Sequence, residues 1–363
     1  MKRIEPIELF QKNGHEPLII AGPCSAESET QVMDTARSLA DSGVRIFRAG
    51  VWKPRTKPGC FEGVGAPGLE WLRKVRDTYG MAVATEVANA HHVEEVMKAG
   101  IDIIWIGART VANPFAVQEI AESLKGTDKA VMVKNPVNPD LDLWIGAIER
   151  LEKCGIRRMA AIHRGFSTYG EKVYRNAPQW QIPIELRRLI PELPILCDPS
   201  HMGGKRNLVI SLSQQAMDFN ADGLFIEVHN DPCHALSDAA QQLSPEEFRE
   251  LQSMLVTRTR TSHQDDSLSQ YREQIDDCDR RFIGILKERL TIADDIGRFK
   301  KEHNMAILQS DRYKQIIEAL VAEGIKSGID PECIRSIFES IHIESIRRQM
   351  KVREKNGDCR SNI

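Results

Sequence analysis

The sequence lacks the features that mark secretion, membrane insertion or a disulfide scaffold. Its start, Met1-Lys2-Arg3-Ile4-Glu5-Pro6, has no apolar core of the kind a signal peptide needs, and no run approaches the ~18 apolar residues of a membrane span. Eight cysteines, at positions 24, 60, 154, 197, 233, 278, 333 and 359, are dispersed without Cys-x-x-Cys spacing, which predicts free thiols. Neither sign of charge dominates, since 49 basic against 52 acidic residues leave a net charge of -3. That balance argues against a general nucleic-acid binder and against a polybasic membrane anchor. At 363 residues the chain is long for one domain. The expectation is a cytoplasmic protein of two domains, with neither nucleic acid nor membrane among its partners.

What is present begins with eight short apolar runs: Leu18-Ala21, Val44-Phe47, Met81-Thr85, Ile101-Ile106, Ala130-Val133, Met159-Ile162, Pro194-Cys197 and Gly223-Val228. Amphipathic stretches such as Glu29-Ser42, Leu69-Tyr79 and Leu143-Lys153 separate most of them. Non-alternating strands divided by helices predict a parallel sheet covered on its outer face, and eight of them fit a closed (β/α)8 barrel. An open doubly wound sheet is the alternative.

Each run ends in chemically capable groups. Cys24 follows the first; Arg48, Lys53 and Arg55 the second; Glu86 ends the third; Ala108 and Arg109 follow the fourth. Lys134, His163-Arg164, Asp198 with His201, and Glu227 with His229 mark the remaining four. In a barrel these ends converge on one face, where such enzymes place their sites. Arg48, Lys53 and Arg55 have no acidic residue between them, so a fold that gathers them offsets their repulsion with an anion. The plain alternative for that loop is a solvated basic surface. Six cations, counting Arg109, Lys134 and Arg164, suggest two phosphorylated or carboxylated substrates side by side. Cys24, His201, Glu227 and Asp238 offer a thiolate, an imidazole and two carboxylates, a set suited to one divalent Mn, Fe, Co or Zn ion.

The motifs Gly22-Pro23-Cys24-Ser25, Phe47-Arg48-Ala49-Gly50, Lys53-Pro54-Arg55-Thr56, Gly107-Ala108-Arg109, Asp198-Pro199-Ser200-His201 and Glu227-Val228-His229 with Asp238 resemble the signature set of short-form 3-deoxy-D-arabino-heptulosonate-7-phosphate (DAHP) synthases. The resemblance covers roughly residues 1 to 250. It implies condensation of phosphoenolpyruvate with erythrose 4-phosphate at the entry to the shikimate pathway. It also implies Cys24, His201, Glu227 and Asp238 as metal ligands, with the metal as Lewis acid on the aldehyde. Arg48, Ala108, Arg109, Lys134 and Arg164 would hold phosphoenolpyruvate, with Lys134 and Glu86 catalytic, while Lys53, Pro54, Arg55 and Thr56 would cradle the sugar phosphate. The sister 3-deoxy-octulosonate-8-phosphate synthases carry an Asn-Arg-Ser type motif where Pro54-Arg55-Thr56 stands, so the four-carbon aldehyde is expected. Lys134-Asn135-Pro136 departs from the Lys-Arg-Gly more usual in short-form enzymes.

Past Met254 the pattern changes. The expected layout is a barrel over residues 1–254, a polar linker over 255–267, a smaller all-α domain over 268–355 and a tail over 356–363. Ile275, Cys278, Phe282, Ile285, Arg289, Ile292, Ile296 and Phe299 recur at steps of three and four, one face of a long helix with a heptad-like seam. Arg289 interrupts that seam and needs an anion unless it merely sets coiled-coil register. Lys300 faces nearly the same way, and Arg272 about a quarter-turn off. Ser345 and Gln349 interrupt the last helix likewise. Residues 268 to 352 resemble the all-helical chorismate mutases, with Arg272, Arg289, Lys300, Arg312, Ser345 and Gln349 at matching spacings. This implies an intertwined homodimer in which Arg272 reaches the partner's pocket, and rearrangement of chorismate to prephenate with Lys300 and Gln349 at the ether oxygen. Tyr313 and Gln309 stand where that family usually has acids. A different expectation for this domain is a chorismate- or prephenate-sensing module that dimerises the chain and regulates the barrel allosterically.

Overall fold

The computed structural model describes residues 4–10, 17–54, 59–257, 266–308 and 310–354, with the side chains of residues 9, 266–268, 310, 311 and 354 left aside. Arg55, Thr56, Gln309, most of the expected linker and the whole expected tail lie outside the described residues. The chain divides into two compact units, Met1–Arg260 and Thr261–Ile363.

In the first unit eight parallel strands pair in sequence order: β1 (Leu18–Gly22), β2 (Ile46–Arg48), β3 (Ala82–Val87), β4 (Ile103–Ile106), β5 (Ala130–Lys134), β6 (Met159–His163), β7 (Ile195–Cys197) and β8 (Gly223–Glu227). β8 closes on β1 from Leu18↔Gly223 to Gly22↔Glu227, which excludes the open doubly wound sheet. Among the described residues ten α-helices accompany them: α1 (Glu29–Asp41), α2 (Ala66–Tyr79), α3 (Ala90–Ala99), α4 (Ala108–Val111), α5 (Pro114–Ser123), α6 (Leu141–Lys153), α7 (Gln181–Leu189), α8 (Pro199–Gly203), α9 (Arg206–Asp218) and α10 (Pro245–Met254). Local signals fix their ends. Ser28 caps α1 by accepting from the Gln31 N–H, and Ser244 with Glu247 forms a capping box before α10. Gly80 and Gly100, at φ 67° and 68°, terminate α2 and α3.

Strand parity decides which groups reach the site. Ile46, Ala84, Met132, Ile162, Leu196 and Phe225 belong to the inner core of the barrel. Phe47, Val83, Val133, Ala161, Ile195 and Ile226 belong to the outer core under the helices. Side chains alternate with period two, so two residues beyond each inner position come Arg48, Glu86, Lys134, Arg164, Asp198 and Glu227. Two residues beyond Ala161 and Ile195 come His163 and Cys197, which share the outer side. Three strands also run one residue further than apolarity alone predicts, since Arg48, Lys134 and His163 are the last residues of β2, β5 and β6. Apolar runs stop at the first charge, whereas the ladder continues into the polar mouth.

In the second unit α11 (Asp266–Glu302), α12 (Ser310–Lys326) and α13 (Pro331–Glu354) form the helical domain. α11 and α13 approach closely at Gly297, where a Cβ would stand 3.1 Å from Gln349 Cα. The seam read from the sequence is not covered within this chain: Ile275, Phe282 and Ile285 are 61%, 50% and 63% exposed.

Gly22 is at φ 153°, and a Cβ there would sit 2.0 Å from the Arg48 carbonyl oxygen of the neighbouring strand. Gly22→Ala is therefore expected to lower barrel stability by about 1–3 kcal/mol or more, read as a lower urea midpoint. An unchanged midpoint would contradict the tight β1–β2 approach.

Candidate active site

The floor of the barrel mouth is one buried ion pair. Arg48 Nη1 donates to Glu227 Oε1 at 2.9 Å, with both side chains essentially inaccessible. The Arg48 guanidinium lies over the rings of Trp105 and Phe225, 4.9 and 4.6 Å from their centroids. Gln241 Nε2 donates to the other oxygen, Glu227 Oε2, at 2.6 Å. Burial opposes ionisation of Glu227, but His201 and Arg48 hold its pKa below the usual carboxylate value.

Three of the four expected metal donors cluster around Glu227 of this pair, and His201 approaches two of them. The ligand atoms of Cys24, Glu227 and Asp238 all lie within 4.8 Å of one another. Cys24 Sγ is 3.5 Å from Asp238 Oδ2. His201 Nε2 stands 3.7 Å from Glu227 Oε1 and 3.9 Å from Asp238 Oδ2. Donors at metal-bond lengths around one tetrahedral ion are roughly 3.4–3.8 Å apart, so the set fits a single divalent cation. Burial keeps the His201 imidazole below its usual pKa, in the neutral form that ligates. Burial, then Glu227, push the Cys24 thiol up to about 12. Asp238 sits at φ 48°, a left-handed conformation that aspartate, like glycine and asparagine, tolerates better than other residues.

Above the donors lies a cavity of about 260 Å³, walled by Lys53, Pro54, Glu86, Ala108, Arg109, Lys134, Arg164, Arg175, His201 and Asp238, with Cys60 and Gly107. Each wall group is held. Lys134 Nζ donates to Asp198 Oδ2 at 2.8 Å, and His201 Nδ1 touches the same oxygen at 2.8 Å. Burial works against an ionised Asp198, and His201 and Lys134 more than offset it, so its pKa lies well below the usual range. Trp105 Nε1 donates to Glu86 Oε2 at 3.2 Å. Gly107 makes room for this carboxylate, since a Cβ there would fall 2.0 Å from Glu86 Oε1. Arg164 Nη1 donates to Asn176 Oδ1 at 2.7 Å, and Asn135 Oδ1 accepts from the Arg164 N–H, giving the departing Asn135 a structural purpose. Burial is the main influence bringing Arg164 down to about 10, with Arg175 and Arg109 adding like-charge repulsion. Half-buried Lys53 behaves oppositely: burial disfavours its charge, yet Cys24, Glu86 and Glu227 leave its pKa raised. Such crowding of cations calls for anions.

Arg48, Cys24 and Glu227 thus lie beneath the wall rather than on it. Arg55 and Thr56 lie outside the described residues. Sequence reading passed over Arg175, Asn176 and Gln241: Arg175 Nη1 bridges Asp238 Oδ1 at 3.2 Å and Gln241 Oε1 at 2.7 Å. The long stretch between β6 and α7 was the available signal.

In the helical unit Arg289 Nη1 donates to Ser345 Oγ at 2.9 Å, and Ser345 and Gln349 are buried. Gln349 Oε1 is buried without a partner among the described residues. Lys300 Nζ donates to the Ile307 carbonyl at 2.5 Å, and burial lowers its pKa. His342, not foreseen, lies against Tyr313 with ring centroids 4.3 Å apart and planes tilted by 30°, and burial together with the charges of Arg289 and Lys300 lowers its pKa. Arg312 is exposed on α12. Arg272 is exposed as well, and 17 residues of helix set it about 25 Å from Arg289 along α11, so one chain does not gather all six groups.

The ion pair beneath the cavity yields a direct expectation. Arg48→Met, which leaves Glu227 buried without its cation, should cost about 3–5 kcal/mol in urea unfolding of metal-free protein. The double variant Arg48→Met with Glu227→Gln should recover much of that loss, and additive losses would contradict the pairing.

Comparison with known proteins agrees with both family resemblances. Residues 5–264 match the DAHP synthetase I family and residues 271–350 match chorismate mutase type II. Phospho-2-dehydro-3-deoxyheptonate aldolase of Thermotoga maritima is 40% identical over 233 residues, which cover 64% of this chain and 67% of that protein. The 2-dehydro-3-deoxyphosphooctonate aldolase of Koribacter versatilis is 32% identical over 268 residues, 66% of this chain and 91% of that one. A crystal structure of the Thermotoga maritima aldolase (DAHP synthase) superposes with a TM-score of 0.62 at 36% identity, over 69% of this chain and 72% of that chain. The chain belongs to the DAHP synthetase I family and carries a chorismate mutase type II domain after its barrel.

Proposed function

We propose that the barrel condenses phosphoenolpyruvate with erythrose 4-phosphate to DAHP and phosphate, and that the helical domain rearranges chorismate to prephenate. The observation that carries the first reading is the joint presence of the Cys24, Glu227 and Asp238 donor cluster, with His201 beside it, and a cation-lined cavity that His201 and Asp238 also line. The 40% identity to a heptonate aldolase, against 32% for the octonate enzyme, favours the four-carbon aldehyde.

Cys24, His201, Glu227 and Asp238 would hold a divalent transition metal, which when bound supplies Lewis-acid polarisation of the aldehyde oxygen. Arg109, Lys134 and Arg164 bind the phosphate and carboxylate of phosphoenolpyruvate, and Arg48 lends its charge from below. Lys53 and Pro54 meet the sugar phosphate. Carbon 3 of the enol attacks the aldehyde carbon, water adds to the cationic carbon 2, and phosphate leaves from the tetrahedral intermediate. Glu86, fixed by Trp105, stands where it can take a proton from the adding water. Lys134, fixed by Asp198, stabilises the oxygens as charge moves onto them.

For the helical domain, Arg289 and Ser345 bind a chorismate carboxylate, while Lys300 and Gln349 face the ether oxygen. The apolar seam left exposed on α11 favours a homodimer, with the partner's copy of Arg272 completing the pocket. No helix among the described residues is long and apolar enough to cross a membrane.

Three experiments test these readings. Phosphate release from phosphoenolpyruvate is expected with erythrose 4-phosphate, to vanish with chelator and to return with Mn²⁺; release with arabinose 5-phosphate alone would overturn the aldehyde assignment. In parallel, Cys24→Ala should lose bound metal and turnover together, and full turnover by metal-free Cys24→Ala protein would overturn the ligand set. For the second domain, Arg272→Ala and Arg289→Ala chains, each inactive as a mutase, should regain about a quarter of wild-type activity when co-refolded in equal amounts, because half the dimers then carry one intact site. No recovery would contradict a pocket shared between chains.

A further inference from the structure

On the outer side of the barrel, between α7 and α9, lies a second cavity of about 330 Å³ that no step above uses. Trp180, Pro183, Ile184, Ala216 and Phe219 make its walls, and His163 also lines it. The Trp180 and Phe219 rings are stacked with centroids 4.9 Å apart, and the His163 ring meets Trp180 at 5.3 Å in an edge-on arrangement. His163 is 1% exposed, and neither of its ring nitrogens has a hydrogen-bond partner among the described residues. The Pro178 carbonyl is near enough to favour the ring's charged form, without the geometry of a hydrogen bond. Parity is what isolates this residue: Arg164 turns into the catalytic cavity, and His163 turns away from it into the helix layer.

Buried polar groups in folded proteins are almost always paired, so a fully buried, unpaired imidazole beside an open apolar cavity marks a position for a partner from outside. Burial pushes its pKa down to about 3, so at neutral pH it is uncharged and offers one N–H donor and one lone pair. A hydroxyl can serve either nitrogen, whichever tautomer is present. A flat ring suits walls made of Trp180 and Phe219. A charged ligand suits them less well, because the two charged residues of the lining are already engaged: Arg187 donates to Asp222 at 2.7 Å and Asp218 accepts from Gln214 at 3.0 Å.

We propose that this cavity is a binding site for a small, uncharged hydroxy-aromatic molecule, its ring against Trp180 and Phe219 and its hydroxyl on His163. Phenol is the probe, and toluene, with a methyl in place of the hydroxyl, is the control. Crystals of the full chain soaked in phenol should show the ring in this cavity with its oxygen within hydrogen-bond distance of a His163 ring nitrogen. In calorimetric titrations, His163→Phe should weaken phenol binding about tenfold while leaving toluene within about twofold. Equal effects on both ligands, or phenol bound only elsewhere in the soaked wild-type crystals, would overturn the proposal. The soak needs no variant, so it decides the matter even where His163→Phe fails to fold.

Discussion

The structure of the barrel mouth depends on how the Glu227 carboxylate is divided. One oxygen takes the Arg48 guanidinium from below and faces His201 Nε2 from above; the other takes Gln241. A carboxylate this deeply buried is tolerated only because it is paired and fully hydrogen-bonded. The arrangement stabilises the protein weakly at best, since the desolvation of both partners offsets most of their attraction. Its value is positional: it fixes a negative oxygen among Cys24, His201 and Asp238 and keeps a permanent cation under the substrate cavity. Arg175 repeats the device at the rim, tying Asp238 to Gln241. Donor cluster and cation wall are therefore one connected network.

Much of this was legible in the sequence. Eight apolar runs, the intervening amphipathic stretches and a capable group at each run's end led to a closed barrel with its site at the strand ends. Parity could have sharpened the reading, because counting by two from Ile46, Met132, Ile162 and Phe225 separates Arg48, Lys134, Arg164 and Glu227 from the outward His163. What no local pattern carried was the support of those groups. Arg175 is far from Asp238 in sequence and ordinary in type, and only the folded barrel brings it to Asp238 and Gln241, while Gln241 lies in the loop after β8, 14 residues past Glu227. Asn135 read as a departure from the usual motif, yet its amide orders the Arg164 backbone and the Gly165 carbonyl.

The helical unit was legible in a different way. Its 3.6-residue period identified α11, and the polar interruptions Arg289, Ser345 and Gln349 identified a site. The seam's exposure is something that period alone does not give: on a helix of 37 residues, Ile275, Phe282 and Ile285 stay exposed, the observation on which the proposed homodimer rests. His342 escaped notice because a histidine on an amphipathic helix carries no signal until Tyr313 is found against it.

The central claim is that Cys24, His201, Glu227 and Asp238 act as one metal-binding unit anchored by Arg48. Anomalous diffraction from crystals grown with Mn²⁺ tests it most directly. The account predicts one peak with Cys24 Sγ, His201 Nε2 and an oxygen of both Glu227 and Asp238 all within about 2.0–2.6 Å. A peak elsewhere in the barrel, or one from which Glu227 is excluded, would contradict it.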